Sequence, residues 1–262
     1  MPNHITNKLE LIGTQSIIDK CLVDIKCDDK AVGTIDFNKI IPMPASLNME
    51  AGSYENHAIL AYMKVANPGK PAPDIGPEHR LTADKYSDVT IKLTEKFYTN
   101  DAAVLMEKIE NFAFAETDDR NKLITDGETY VRNLIKYGTT TWYDWCIANW
   151  NTKWNAYNFG EFKNNTVVFH TAWSNIEPII KTLSKRYPDI RFKYAWADED
   201  MGANVGELEI VRGEIQSVYY PDTFSKNAYE MAADIRGVDL ADYNLYFNEN
   251  TGTYKYREEC NE

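Results

Sequence analysis

The stretch WYDWCIANWNTKWNAYN, from Trp142 to Asn158, holds four of the six tryptophans of the chain. Indole faces can stack on a base or a sugar, and interleaved amide and ammonium groups can orient such a ligand. The segment therefore predicts a ligand pocket, or else an aromatic core in which each tryptophan contributes several kcal/mol of burial energy, ~3–5 by truncation. The candidate pocket residues are Trp142, Trp145, Asn149, Trp150, Lys153, Trp154 and Asn155.

Helical geometry separates these tryptophans. At about 100° per residue, Trp142, Trp145 and Asn149 share one face of a helix, whereas Trp150 and Trp154 fall to the side. We expect the helix to end near Trp150, with Asn151 in the left-handed conformation that Asn tolerates better than most residues. The tryptophans then lie on both sides of a helix–loop junction, and the choice between core and pocket stays open.

Acidic residues provide a second candidate site. The chain has a net charge of −12, and residues 196–262 contain five Lys/Arg and fifteen Asp/Glu, a net of 5 − 15 = −10. This asymmetry predicts either a solvated acidic surface or an acidic face that binds a basic partner. Binding of nucleic acid is disfavoured, because phosphate neutralisation needs clustered Lys/Arg. The candidate residues of the acidic face are Asp198, Glu199, Asp200, Glu207 and Glu209.

Familiar catalytic and cofactor motifs do not occur in the sequence. It has no GxGxxG, Walker, G-x-S-x-G or H-E-x-x-H pattern, and its four cysteines form no zinc-ligand spacing. We assign no catalytic residue, metal ligand or cofactor, and we expect the cysteines to be free thiols in a reducing compartment. The N-terminus does not have the pattern of a signal peptide, and no apolar run is long enough to cross a bilayer. A cytoplasmic protein without a membrane partner is therefore expected.

Hydrophobic periodicity predicts an α+β protein that begins β-α-β. Residues 5–13 alternate as in a strand, TQSIIDKCLVDIK (14–26) repeats at helical spacing with Thr14 as its N-cap, and TIDFNKII (34–41) has the pattern of a second strand. From Ala45 to about Gly138 the pattern is mostly helical and predicts an insertion in, or a companion to, the first β-α-β unit. We place a domain boundary after residue 159, so that the N-terminal domain spans 1–159 and includes the helical insert and the Trp-rich segment.

Residues 160–262 are predicted to form a second, ferredoxin-like domain. The pattern from Asn165 to Phe247 is β-α-β-β-α-β, which is the split βαβ order. We expect an antiparallel sheet with both helices on one face. Hairpins are predicted around Arg212-Gly213 and in the terminal YNLYFNENTGTYKYRE.

Three blocks of sequence carry a family resemblance. They are MPNHITNKLELIG, FNKIIPMP (37–44) and WCIANWNTKWNAYN with the following FHTAWS. Together they resemble the uncharacterised phage- and plasmid-borne family with a YubB-type ferredoxin-like domain, often followed by a second such domain. The resemblance implies this fold and a protein of a mobile element in the cytoplasm of a bacterial host. It implies no activity and no site residue.

Three classes of function stay open at this point. The first is a non-catalytic interaction protein that acts on a host protein, including one of host defence, through the acidic face. The second is an enzyme or small-molecule binder with a pocket at the Trp-rich segment. The third is binding of single-stranded nucleic acid, with Phe192, Tyr194 and Trp196 as stacking residues if they face solvent.

Overall fold

The fold is described from a computed structural model, which covers residues 3–71 and 75–257. The chain divides into two compact units. One combines the chain up to Pro42 with the chain from Cys146 onward, and we call it the sheet unit; the other, Met43–Trp145, is the helical unit. The helices are α1 (Gln15–Ile25), α2 (Ser53–Val65), α3 (Ala83–Lys96), α4 (Ala102–Asn111), α5 (Arg120–Tyr137), α6 (Trp142–Trp150), α7 (Glu177–Arg186) and α8 (Lys226–Arg236).

A five-stranded antiparallel sheet forms the centre of the sheet unit, with strand order β2-β1-β3-β4-β5. Strands β2 and β3 are both antiparallel to β1, which lies between them, so they are parallel to each other and are joined through α7. This is a split βαβ arrangement, and the predicted α+β class is confirmed. The strands are β1 (His4–Ile12), β2 (Thr166–Ala172), β3 (Arg191–Asp198), β4 (Gly206–Val211) and β5 (Glu214–Tyr219).

Alternation along the strands gives the sheet two different faces. On the first face, Leu9 lies opposite Tyr194 and Leu11 opposite Phe192, and all four side chains are buried. Helix α7 covers this face, since the Ile176 amide just before it donates to the Tyr194 hydroxyl at 2.9 Å. The second face carries the intervening, mostly polar residues of the same strands.

Helix α8 packs on the second face, where it forms an apolar cluster with Ala195 and Ala197 of β3. The prediction that both C-terminal helices lie on one face is therefore wrong in this detail. The cause is β3 itself, which presents small alanines on the face opposite to its aromatic residues and so leaves room for a helix there. The terminal hairpin is confirmed as β6 (Leu245–Asn248) and β7 (Thr253–Tyr256), but it forms a separate two-stranded sheet.

Residues 34–41 do not form the predicted strand. Asp36 instead caps a short 3-10 turn, Phe37–Lys39, by accepting the Asn38 amide at 2.9 Å. The outer edge of β2 is paired with the backbone of Tyr157 and Gly160. The Asp36 cap therefore forms in place of the predicted strand. An Asp side chain can bond to nearby backbone amides, which is an alternative to the hydrogen bonds between strands.

The structure also divides the chain differently from the predicted boundary at residue 159. Strand β1 pairs along its length with β2 and β3, more than 150 residues away, and so belongs to the same sheet as the C-terminal strands. Sequence separation does not prevent this pairing, because loop closure costs little more as the loop lengthens. The helical unit is the excursion between α1 and β2.

Close packing of α2 against α5 organises the helical unit. Gly127 of α5 approaches α2 so closely that an added Cβ would lie 2.0 Å from the Ala58 carbonyl oxygen and 2.7 Å from the Tyr62 Cβ. Glycine is unfavourable inside a helix, so its presence here reflects the contact. Tyr62 and Tyr130 are buried in the same core.

Gly127→Ala is expected to destabilise the protein although it improves helix propensity. The propensity gain is about 1 kcal/mol, whereas overpacking against a backbone oxygen costs ~1–3 kcal/mol and more when the helix cannot move. Urea unfolding followed by circular dichroism measures the net effect. Thr125→Ala, at an exposed position of the same helix, is the control, and equal or greater stability of Gly127→Ala would contradict the packing.

Candidate functional site

The Trp-rich segment forms the predicted helix–loop junction. Helix α6 ends at Trp150, and Asn151 follows in the left-handed conformation with φ 62°. Trp145 and Trp150 are both buried. The Trp150 indole donates to the Ile41 carbonyl at 2.9 Å, and its ring meets Phe37 edge-on.

The loop after α6 binds to the rest of the sheet unit through its polar side chains. The Asn155 carbonyl oxygen accepts the Phe37 amide at 2.9 Å, and its NH₂ group donates to Asp36 at 2.6 Å. The buried Thr152 hydroxyl donates to the Ala172 carbonyl and accepts the Ala172 amide. Sequence reasoning missed Thr152, whose type gives no signal until β2 is known to lie beside it.

The remaining candidates of this segment are half-buried. The Lys153 ammonium lies 5.5 Å from the centre of the Trp154 ring, which supports a cation–π contact. Asn149 is also half-buried in the sheet unit, whereas Trp142 packs its ring against Tyr143 in the helical unit. A ligand pocket lined by all seven residues stays a prediction.

One of the five residues predicted to form an acidic face is buried. Asp198 is 6% exposed, and its carboxylate accepts hydrogen bonds from Asn3 and Asn204. It therefore belongs to the interior, because a buried carboxylate must be hydrogen-bonded. Glu199 and Asp200 are exposed just beyond β3.

Glu207 and Glu209 lie in a cleft on the second face of the sheet, beside α8. Each belongs to a row of neighbours across three strands, and side chains in such rows interact. The cleft has a volume of 340 Å³. Reading from β1 to β4, one row is Lys8, Ala195 and Glu207, and the other is Glu10, Lys193 and Glu209.

The charges of this cleft do not cancel. Its lining contains two lysines and four carboxylates, giving 2 − 4 = −2. Lys8 pairs with Asp234 of α8 at 3.5 Å, and Glu209 pairs with Arg191 at 3.6 Å. Among the described residues, no ion pair involves Glu10 or Glu207. The lining residues are Lys8, Glu10, Thr166, Lys193, Tyr194, Ala195, Glu207, Leu208, Glu209, Ser217, Met231, Asp234 and Ile235.

The described part of the chain contains no cluster of metal ligands, and two of its cysteines are buried. No group of three or more His, Cys, Asp or Glu residues there could hold a metal ion. Cys21 is a buried free thiol and Cys146 is also buried, and burial raises the pKa of each to about 12. Both are therefore protonated and unreactive at neutral pH. Cys260 lies outside the described residues.

Two histidines that are far apart in sequence meet on the second face. The ring centres of His4 and His170 are 6.0 Å apart, and the Tyr157 hydroxyl lies 2.6 Å from the His4 Nδ1. The Nδ1 of His170 is buried, and no described residue forms a hydrogen bond with it. Burial, together with the nearby His4 and Arg236, lowers the pKa of His170 below its usual 6.5.

The aromatic residues proposed to stack on nucleic-acid bases do not face solvent. Phe192, Tyr194 and Trp196 are each at most 1% exposed. They lie on the face that α7 covers. Stacking on nucleic-acid bases required these rings to face solvent, and they do not.

A match to a family model supports the assignment of a ferredoxin-like domain. Residues 149–239 match a family model described as "Ferredoxin-like domain in Api92-like protein". Among solved structures, the chain is similar to a crystal structure of the protein api92 from Yersinia pseudotuberculosis, with 10% sequence identity and a TM-score of 0.37. That similarity covers 84% of this chain and 98% of the other. No curated protein matches the chain.

The helices give no sign of a membrane span. Within residues 3–71 and 75–257, none combines the length and the apolar character that crossing a bilayer requires.

Replacement of Trp150 by Phe is expected to lower the free energy of unfolding by about 2–3 kcal/mol, because it removes buried ring atoms and leaves the Ile41 carbonyl without its donor. Chemical denaturation monitored by circular dichroism measures this loss. Trp154→Phe, at a half-buried ring, is the matched control with an expected loss below about 1 kcal/mol. Equal losses would show that Trp150 is no more anchored than Trp154.

Stability is expected to fall in mild acid because of His170. Its pKa is lowered in the folded protein and ordinary in the unfolded chain, so the unfolded chain binds the proton more readily. The contribution of His170 to the free energy of unfolding is therefore complete above about pH 6.5. It is lost as the pH falls through the pKa that His170 has in the folded protein. Urea unfolding at pH 7.5 and 5.5 should show a smaller change for His170→Phe than for the unaltered protein, and an equal change would exclude His170 as the cause.

Proposed function

We propose that the protein is a non-catalytic interaction protein whose cleft beside α8 receives a basic side chain of a partner protein. The observation that carries this proposal is the presence of two carboxylates, Glu10 and Glu207, that have no ion pair within the described residues and line a cleft of net charge −2. An incoming Lys or Arg would form an ion pair with these carboxylates. Long-range attraction by the acidic C-terminal part of the chain would increase the association rate.

The shape of the cleft also favours a single side chain. The small Ala195 is among its lining residues, and its volume of 340 Å³ is at the lower end for ligand sites. Met231 and Ile235 of α8 provide an apolar wall, against which the methylene stem of a Lys or Arg can pack while its charged end meets the carboxylates.

The expected setting of this function is a bacterial cytoplasm. The three sequence blocks that resemble the YubB-type family support a mobile-element origin, and a host protein, including one of host defence, is then the proposed partner. Glu199 and Asp200 are exposed and add negative charge to the same unit.

Removal of the two unpaired carboxylates is expected to weaken binding of a basic peptide. Each lost charge pair is worth about 0.5–1 kcal/mol, so the double variant Glu10→Gln/Glu207→Gln should bind roughly 5–30-fold more weakly. The probes are labelled decapeptides of alternating Arg or Lys with Ala, and one with Glu as the negative control. Fluorescence anisotropy at low and high salt gives the affinities.

Glu161→Gln is the matched control, since Glu161 is an exposed carboxylate of the same unit outside the cleft. If it weakens binding as much as the double variant, the attraction comes from net charge alone and the cleft is not the site. In NMR spectra, chemical-shift changes of the Ala195 and Lys8 amides on peptide addition would locate the contact directly. A pull-down from bacterial lysate with the unaltered protein and the double variant then identifies the partner as the protein retained only by the former.

A further inference from the structure

The helical unit contains a cavity that the proposed function does not use. Its volume is 570 Å³, within the range of small-molecule sites. It lies between the start of α2, the end of α3 and the segment that joins α5 to α6. Its polar and aromatic lining includes Glu55, Asn56, Lys92, Lys96, Tyr98 and Asp144.

A buried ion pair forms one wall of this cavity. Glu55 is 2% exposed, and its carboxylate binds the Lys96 ammonium at 2.6 Å and the Thr140 hydroxyl. Its second oxygen accepts the Gly52 amide at 3.2 Å. The carboxylate is therefore satisfied by the protein, whereas the ammonium has three N–H donors and the Glu55 bond uses one of them.

An unsatisfied acceptor lies on the same wall. The Oδ1 atom of Asn56 is buried and has no hydrogen-bond partner among the described residues. Such a group costs about 1–3 kcal/mol if nothing donates to it. Asn56 lines the cavity, and the terminal amide torsion of Asn is soft, so its amide can rotate to meet a donor of a bound ligand. A ligand that donates a hydrogen bond could therefore satisfy the Asn56 oxygen.

The rim carries an aromatic ring in an unusual position. Tyr98 follows α3 with φ 50° and is 96% exposed. A bulky residue with positive φ is strained, and such strain concentrates at functional sites. Its flat ring is available to pack on a ligand in the cavity.

Charge selects the class of ligand. Lys92 and Lys96 are opposed by Glu55, Glu95 and Asp144 among the lining residues, a net of 2 − 3 = −1. A strong anion would meet the carboxylates, and a cation would meet the lysines. A neutral ligand that both donates and accepts hydrogen bonds suits all of them, and each hydroxyl group offers one donor and two acceptor lone pairs.

We propose that this cavity binds a neutral polyhydroxylated ligand of mono- or disaccharide size. Its hydroxyls donate to Asn56 and Asp144 and accept from Lys92 and Lys96, and one apolar face of the sugar packs on Tyr98. The site is separate from the cleft beside α8 and does not depend on the function proposed there.

The test is a titration of the full chain with defined sugars. The probes are glucose, galactose, N-acetylglucosamine, maltose and cellobiose, followed by saturation-transfer NMR and calorimetry up to about 20 mM, since a few hydrogen bonds predict a Kd of about 1 mM. At least one sugar should bind. Tyr98→Ala and Asn56→Leu should each weaken it tenfold or more.

Controls separate the site from general effects on the fold. Ile91→Ala, at an exposed position of α3 outside the cavity, should leave sugar affinity unchanged. Neither test variant should lose stability, because Tyr98 is fully exposed and the Asn56 acceptor has no partner to lose. Absence of sugar binding, binding that ignores both variants, or preferential binding of inorganic phosphate or free lysine would each overturn the proposal.

Discussion

The structure of the sheet unit depends on the pairing of β1 with two strands that follow it by more than 150 residues. Asn7 shows what this pairing requires: its amide donates to the Thr171 hydroxyl, and its carbonyl oxygen accepts the Tyr194 hydroxyl at 2.6 Å. This buried amide on β1 is thus bonded to both neighbouring strands, β2 and β3. Because a buried polar group is costly without partners, these bonds fix the register of all three strands.

That register determines what the second face of the sheet can do. The alternation which buries aromatic residues on the α7 side places Lys8, Glu10 and Lys193 on the other side, together with the two histidines. A slip of one residue would exchange the two faces. The charged cleft and the His4–His170 contact therefore follow from the same constraint that builds the core, although their residues come from opposite ends of the chain.

The Trp-rich segment has a related role. Trp150, Thr152 and Asn155 hold residues 36–41 and the edge of β2 in place, where the sequence pattern predicted a further strand. Side-chain hydrogen bonds thus replace part of a sheet ladder. The helical unit is held together differently. Gly127 allows α2 and α5 to approach closely, and a buried Glu55–Lys96 pair lines a cavity.

The sequence alone determined the class of fold, the hairpins and the left-handed residue after α6, because periodicity and turn chemistry are local properties of the chain. It also located the acidic residues, of which Glu207 and Glu209 line the cleft. Only the tertiary structure decided that β1 lies between β2 and β3, that Asp198 is interior, that α8 lies opposite α7 and that His4 meets His170. Each of these depends on which distant segments become neighbours, and that is set by the burial and pairing of the whole sheet.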